Sequence, residues 1–235
     1  MSEVRPQIGV VRFPGSNDDG DAIMALEGLG ADATTIWHAE TDLPEVAAVV
    51  LPGGFSYGDY LRCGAIAGVS PVMAAVTRFA EAGGLVLGIC NGFQILCESG
   101  LLPGVLRRNG SLRFVCRDVA LDVASSRSPL AGRCEPGDRL VIPVKHGEGA
   151  YFAPADVLEE IEQNNQVALR YAIGSNPNGS VADIAGVTNR AGNVMGLMPH
   201  PEHAVDARRG SGDGARVLGS LVDAACARAG LSAIA

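Results

Sequence analysis

Residues 84–100 read GLVLGICNGFQILCESG, and this stretch decides the fold. Its first part, residues 84–89, is a continuous apolar run, which predicts a fully buried strand. Residues 91–98 are predicted to form a helix that ends at Gly100. A buried strand that leads directly into a helix is typical of a parallel sheet with helical crossovers.

The same alternation of short apolar runs with longer amphipathic stretches occupies the chain upstream of this segment. Its periodicities predict strands and helices that follow one another in β-α-β order. The predicted strands are 7–13, 33–37 and 46–51, and the predicted helices are 19–30 and 66–82.

The second half of the chain is richer in strands, several of them close enough in sequence to pair antiparallel. A last amphipathic helix is predicted at 212–229, and the loop-like stretch 124–138 is too short to separate two domains. We therefore predict one α/β domain over residues 1–235: an open, mostly parallel sheet with helices on both faces and a few antiparallel strands in its second half. The predicted strands of this half are 113–123, 139–144, 166–172, 181–188 and 193–198.

Composition narrows the class of protein. The 235 residues are 47% hydrophobic with a formal net charge of −8, which suits a packed globule and argues against nucleic-acid binding. No apolar run approaches the length of a membrane span, and the N-terminal segment is predicted to be a strand rather than a secretory signal. The six cysteines lack the paired spacings of zinc sites, so we predict no metal site and a location in the reducing cytoplasm.

Cys90 lies at the predicted strand-to-helix turn, with Gly88 and Gly92 two residues away on either side. This pattern is typical of a nucleophile elbow, because small neighbours let a sharply bent backbone fit between strands. The helix N-terminus favours a thiolate, and the first-turn amide of Asn91 is free to donate to an oxyanion. The alternative is a structural cysteine between incidental glycines. The remaining cysteines are interpreted as buried core residues: Cys63, Cys97, Cys116, Cys134 and Cys226.

Two further motifs could complete an acyl-transfer site. Gly53-Gly54 follows the predicted strand 46–51, so the amide of Gly54 is a candidate second oxyanion donor, although such a pair is often only a turn. His200 follows the last predicted strand, and Glu202 would point to the same side if the chain stays extended. A carboxylate beside an imidazole fixes its tautomer and stabilises the imidazolium, which is how a general base is oriented.

Spacing alone leaves the identity of the base open. His146 also has a glutamate two residues on, at Glu148, so it competes with His200 for the role. A His-Glu pair on a surface loop is the alternative interpretation of His200 and Glu202. His203 is interpreted as a local loop residue.

Taken together, these motifs resemble the class I (triad) glutamine amidotransferases, whose pattern is a G-x-C-x-G elbow, a P-G-G oxyanion loop and a late H-P-E. The resemblance narrows to the small glutaminase subunits of phosphoribosylformylglycinamidine synthases and runs from about residue 7 to residue 206. The segments that carry it are 13–17 (FPGSN), 53–59 (GGFSYGD), 88–94 (GICNGFQ), 146–149 (HGEG) and 198–203 (MPHPEH).

The resemblance implies a flavodoxin-like fold and a role for each site residue. It implies that Cys90 is the nucleophile and that His200, rather than His146, is the base, with Glu202 as its orienter. The oxyanion would rest on the amides of Gly54 and Asn91. Roles in substrate binding are implied for Gly53, Gln94, His146 and Gly147.

The same resemblance implies a reaction and its partners. Glutamine would be hydrolysed through a cysteine thioester to glutamate and ammonia. The ammonia would pass to a large ATP-dependent subunit that converts formylglycinamide ribonucleotide to formylglycinamidine ribonucleotide in purine biosynthesis. A small bridging subunit would complete the complex. No cofactor is expected in this chain, since ATP and magnesium would belong to the large subunit.

One segment departs from the pattern of these subunits. Their N-terminal loop often reads G-S-N-C-D-R-D, whereas residues 15–21 here read GSNDDGD and lack that cysteine and arginine. Two rival interpretations are a cysteine-elbow hydrolase or peptidase of the flavodoxin-like class, and a non-catalytic subunit with a decayed site. The first usually lacks a late His-Pro-Glu, and the intact Cys90, His200 and Glu202 argue against the second.

Overall fold

The first half of the chain forms the predicted series of strands and helices in a computed structural model that describes residues 4–231. The central strands β3 and β4 are short and apolar, whereas β2 at the edge of the sheet is mostly exposed. The strands are β1 (Gln7–Arg12), β2 (Asp32–Trp37), β3 (Ala48–Leu51) and β4 (Leu85–Ile89). The helices are α1 (Asp19–Gly28), α2 (Pro71–Glu81) and α3 (Asn91–Glu98).

The second half contains the predicted strands and last helix, together with three elements that the sequence analysis missed. The missed elements are β5 (Val105–Arg108), β8 (Glu148–Phe152) and α4 (Ala155–Gln163). The others are β6 (Val115–Val123), β7 (Arg139–His146), β9 (Val167–Tyr171), β10 (Ile184–Thr188), β11 (Val194–Leu197) and α5 (Gly214–Arg228).

Within residues 4–231, nine strands form one sheet in the order β2-β1-β3-β4-β11-β10-β9-β6-β7. Neighbours from β2 to β11 are parallel, and those from β11 to β7 are antiparallel. Strands β5 and β8 pair with each other in a separate two-stranded sheet. The predicted α/β class is confirmed, with the antiparallel part extending through β10, β9, β6 and β7.

The strand order places a reversal of direction at β1. The chain moves from β1 to β2 on one side and then returns to β3 on the other. Because parallel crossovers are right-handed, α1 and α2 lie on opposite faces of the sheet. Helix α1 packs against α5, whereas α2 and α3 both contact the 3₁₀ turn Ala67–Val69. Ligand sites in such sheets lie beyond the carboxyl ends of the strands, near the reversal.

Helix α2 is shorter at its start than predicted. The prediction of 66–82 was wrong at this end, because Ser70 is extended with ψ 150° and Pro71 occupies the first helical position. Proline disfavours a helical residue before it and suits the first turn of a new helix. Residues Ala67–Val69 form a separate 3₁₀ turn instead.

How deeply each cysteine is buried depends on the helices and strands that pack around it. Strands β3 and β4 are buried throughout, as their apolar sequences predict. Cys97, Cys134 and Cys226 are buried as predicted, but the prediction was wrong for Cys116, which is exposed, and for Cys63, which is half-buried. Cys116 lies in the part of β6 that precedes its pairing with β9, so the sheet covers it on one edge alone.

The large sheet draws strands from both halves of the chain. A single domain over residues 1–235 stays a prediction. Among residues 4–231, no helix is both long enough and apolar enough to cross a membrane.

Candidate active site

Cys90 joins the end of β4 to the start of α3 in a strained conformation, with φ 51° and ψ −102°. Its flanking glycines are required by close backbone approaches. A Cβ atom at Gly92 would lie 1.9 Å from the carbonyl oxygen of Leu51, and one at Gly88 would lie 2.7 Å from the carbonyl of Gly92. The elbow predicted from the sequence is therefore present, clamped between β3 and α3.

The Cys90 thiol is buried beside β7. Its Sγ lies 3.9 Å from the carbonyl oxygen of Lys145. The Cys90 amide donates to the carbonyl oxygen of Leu197 at 2.8 Å, which ties the elbow to β11. Because the thiol also stands at the N-terminus of α3, the unpaired amides of the first turn favour a negative charge there.

His200 and Glu202 reach the same sheet edge from β11. This strand runs parallel to β4 with Leu197 beside Ile89, so both strands end at one edge. His200 Nδ1 lies 2.6 Å from Glu202 Oε1. The two side chains meet through the 3₁₀ turn Pro201–His203, not through the extended backbone that the sequence analysis assumed.

The ring of His200 is fully enclosed by the protein. Its Nε2 atom has no hydrogen-bond partner among the described residues, nor has Glu202 Oε2. Burial opposes protonation, but the negative charges of Glu202 and of a Cys90 thiolate, together with the hydrogen bond that Glu202 accepts from Nδ1, raise the pKa of His200. A raised pKa favours the protonated form of His200, which is the form that a thiolate-imidazolium pair requires.

Two backbone amides are placed to receive an oxyanion near Cys90. Gly54, with φ 145°, lies beside Ser16 in an isolated bridge. The bridge uses the amides of Asn17 and Phe55, whereas the amide of Gly54 forms no backbone hydrogen bond within the described part of the chain. Asn91 begins α3, so its amide has no intrahelical partner. The oxyanion roles of Gly54 and Asn91 stay predictions.

A cavity of about 200 Å³ opens beside Cys90. It contains several of the predicted substrate-binding residues but not Gly53, which packs against Asp18 and His200 instead. Gln94 is held from both ends, since its Nε2 donates to Glu148 O at 2.6 Å and its Oε1 accepts from Asn91 at 2.8 Å. The lining consists of Gly54, Phe55, Asp59, Cys63, Cys90, Gln94, Phe114, Lys145, His146, Gly147 and Glu148. Substrate binding by any of these residues stays a prediction.

The side chain of His146 is engaged with amide groups and not with a carboxylate. Its Nδ1 lies 3.0 Å from Asn109 Oδ1, and its Nε2 lies 3.5 Å from Asn178 Nδ2. Burial and the nearby charge of His200 lower the pKa of His146 to about 4. His146 is thus a neutral histidine at neutral pH, and the geometry favours His200 as the base.

The structure adds residues that the motifs did not identify. Asp18 lies behind His200, where its carboxylate contacts Lys145 and His203. His203 lies in the turn after β11, as the sequence predicts, and its ring also contacts Asp18 beside His200. Asp59 and Glu148 line the cavity. The altered loop at residues 15–21 was the one sequence signal that pointed to Asp18.

Within the described chain, one group of side chains has the geometry to hold a metal ion. Ligand atoms of Asp18, His200, Glu202 and His203 all lie within 4.8 Å of one another. The ammonium group of Lys145 already contacts Asp18 in this cluster. Its positive charge offsets part of the negative charge that a metal ion would otherwise meet.

The sequence pattern of the CobB/CobQ-like glutamine amidotransferase domain matches residues 5–212. A Frankia casuarinae protein named phosphoribosylformylglycinamidine synthase subunit PurQ is 54% identical over 217 residues, covering 92% of this chain and 93% of the relative. A protein of the same name from Salinibacter ruber is 54% identical over 225 residues, covering 92% and 96%. The solved structure of PurLQS from Thermotoga maritima includes a chain with 43% identity and a TM-score of 0.86, covering 94% of this chain and 99% of that one.

Proposed function

Because the chain belongs to the CobB/CobQ-like glutamine amidotransferase family, we propose that it is the glutaminase subunit of phosphoribosylformylglycinamidine synthase. Its relatives of that name match nearly the whole length of both chains. The single observation that carries the chemistry is the juxtaposition of the Cys90 elbow with the buried His200-Glu202 pair at one edge of the sheet.

The site geometry supports a thioester route for glutamine hydrolysis. The Cys90 thiolate attacks the side-chain amide carbon of glutamine, and the oxyanion accepts hydrogen bonds from the amides of Gly54 and Asn91. The His200 imidazolium then gives its proton to the departing ammonia, while Glu202 holds the ring. Water, deprotonated by His200, hydrolyses the thioester and releases glutamate.

The ammonia leaves this chain for a synthetase partner. The similar chain from Thermotoga maritima was solved in the PurLQS complex. By analogy, this chain pairs with the large subunit of phosphoribosylformylglycinamidine synthase. That subunit converts formylglycinamide ribonucleotide to formylglycinamidine ribonucleotide in purine biosynthesis. We further propose that a small bridging subunit joins the complex and that ATP and magnesium bind the large subunit.

We propose that the complex works in the cytoplasm. Cys63 and Cys90 line one cavity as free cysteines, which suits a reducing compartment. The acidic chain also offers little for nucleic acid to bind, since its formal net charge is −8.

Replacing the nucleophile tests the division of labour in the complex. Cys90→Ala in the complex with the large subunit is expected to abolish glutamine-dependent synthesis and to spare ammonia-dependent synthesis. Cys116→Ala is the matched control, because that cysteine is exposed on β6, and both activities should stay at wild-type levels. Equal loss of both activities in Cys90→Ala would contradict the proposed function.

A further inference from the structure

Asp18 is a buried carboxylate whose position is not explained by its own helix. It stands at the N-cap of α1, where aspartate commonly accepts a hydrogen bond from the first turn. Its side chain makes no such bond, and the residue is 3% exposed. The next residue, Asp19, pairs with Arg12 instead. The Asp18 carboxylate is therefore turned away from α1, toward the site.

The carboxylate of Asp18 meets three basic side chains that come from two other parts of the fold. Its Oδ1 contacts Nζ of Lys145, near the end of β7, and lies 3.3 Å from Nε2 of His203. Its Oδ2 lies 3.7 Å from Nδ1 of His200. Although burial opposes ionisation, the hydrogen bonds from His203 and Lys145 hold the pKa of Asp18 well below its usual range. Asp18 is charged whenever the enzyme is folded at neutral pH.

The same residue is fastened to the loop that carries the oxyanion donor. The amide of Asp18 donates to the carbonyl oxygen of Gly53 at 3.2 Å. A Cβ atom at Gly53 would lie 2.4 Å from Asp18 Oδ2 and 2.7 Å from His200 Cε1. Gly53 is thus packed between the two side chains, and a shift of Asp18 would move both the base and the loop of Gly54.

His200 consequently faces two carboxylates, with Glu202 at 2.6 Å and Asp18 at 3.7 Å from the same ring nitrogen. Cys90 lies on its other side, and His146, neutral at neutral pH, faces it from β7. A second negative charge at this distance favours the imidazolium. Lys145 opposes that effect, because its Nζ contacts Asp18 and offsets part of the second negative charge.

We propose that Asp18 is a positioning residue for His200, acting as a second carboxylate on its Nδ1 side, and that Lys145 sets how strongly His200 experiences that charge. This inference rests on the proposed function, in which His200 is the base. Asp18 holds the imidazole ring of His200 against Gly53. The contact with Lys145 weakens the negative charge of Asp18, so that the charge of the Cys90 thiolate still governs the protonation of His200.

The proposal predicts shifts of opposite sign in the pH profile of kcat/KM for glutamine hydrolysis by the complex. The alkaline limb reports loss of the proton from His200 in the free enzyme. Asp18→Asn removes a negative charge and should move this limb down by about one pH unit. Lys145→Met exposes His200 to the full charge of Asp18 and should move the limb up by about half a unit. The double variant should behave like Asp18→Asn, because Lys145 acts through Asp18.

Asp122→Asn is the matched control for a broken ion pair. Asp122 pairs with Arg139 at the opposite end of β7, and its loss should leave the profile unchanged. If Asp18→Asn does not fold, Lys145→Met and the pH dependence of Cys90 alkylation, read by mass spectrometry, carry the test. An unmoved limb in Asp18→Asn, or shifts of the same sign in both variants, overturns the proposal.

Failure of the inference and failure of the proposed function are distinguishable in this experiment. An active wild-type complex with an unmoved Asp18→Asn profile rejects the positioning role alone. Glutamine hydrolysis that survives Cys90→Ala rejects the proposed function itself.

Discussion

Two histidines in this chain are each followed two residues later by a glutamate, and the fold gives them opposite electrostatics. His200 holds its glutamate at 2.6 Å, and its pKa is raised. His146 contacts the side-chain amides of Asn109 and Asn178, and burial lowers its pKa to about 4. The same spacing therefore favours a protonated histidine in one place and a neutral histidine in the other.

The difference arises from the backbone and from cross-strand partners. Pro201 starts a 3₁₀ turn that folds Glu202 back onto the ring of His200. Glu148 instead belongs to β8 and pairs with Arg108 on β5, so its carboxylate lies 3.2 Å from the arginine Nε. Glu148 therefore pairs with a cation on another strand and not with His146, which spacing in the sequence cannot reveal.

The largest expected effect separates the two histidines by activity. His200→Gln in the complex should lower kcat for glutamine hydrolysis about a thousandfold or more, since it removes the general base. Glutamine keeps a donor for Glu202, so the buried carboxylate is not left alone. His146→Gln should change kcat less than about tenfold, because its ring serves the packing of Asn109 and Asn178. Equal losses of kcat in both variants, measured by glutamate release, would contradict the different roles assigned to His200 and His146.

A smaller effect separates them by stability. His146 binds a proton in the unfolded chain below about pH 6.5 but in the folded chain only below about pH 4, so stability is lost as pH falls through that window. The loss amounts to at most about 3 kcal/mol. His200 has the opposite sign, because its raised pKa contributes stability that is present at low pH and lost as pH rises through the raised value.

Urea unfolding at pH 7 and pH 4.5 measures this difference. His146→Gln has no proton to take up, so it should lose less stability on acidification than the wild-type chain does. The two chains losing the same amount would show that His146 is not held neutral by the fold. Asn164→Gln, at a half-buried position at the end of α4, changes no titratable group and should follow the wild type.

The sequence predicted the parts of the molecule that depend on local pattern. The central parallel strands β3 and β4 are continuous apolar runs, and the elbow needs Gly88 and Gly92, so both features could be found from short stretches. Strand β5 could not be predicted from its own sequence, because it is mostly exposed and is stabilised by its pairing with β8. Helix α4 was missed because Ile161 is its one buried residue within the described chain.

The remainder of the site depends on contacts that no local pattern encodes. Asp18 and Lys145 are separated by 127 positions in the chain and meet because β1 and β7 bring their ends toward His200. In the sequence, an aspartate in a loop and a lysine near the end of a strand both look like ordinary surface residues, so neither indicates a place in the site. Packing against Gly53 and His200 gives them a role in the site.

The central claim, that Cys90 is the nucleophile for glutamine, is tested most directly by covalent labelling. The complex is treated with a diazo-ketone analogue of glutamine, and the modified residue is located by mass spectrometry. The account predicts a mass shift on Cys90 that glutamine blocks and that His200→Gln slows while His146→Gln does not. No labelling in the presence of the large subunit, or labelling of Cys63 in the same cavity instead of Cys90, would contradict it.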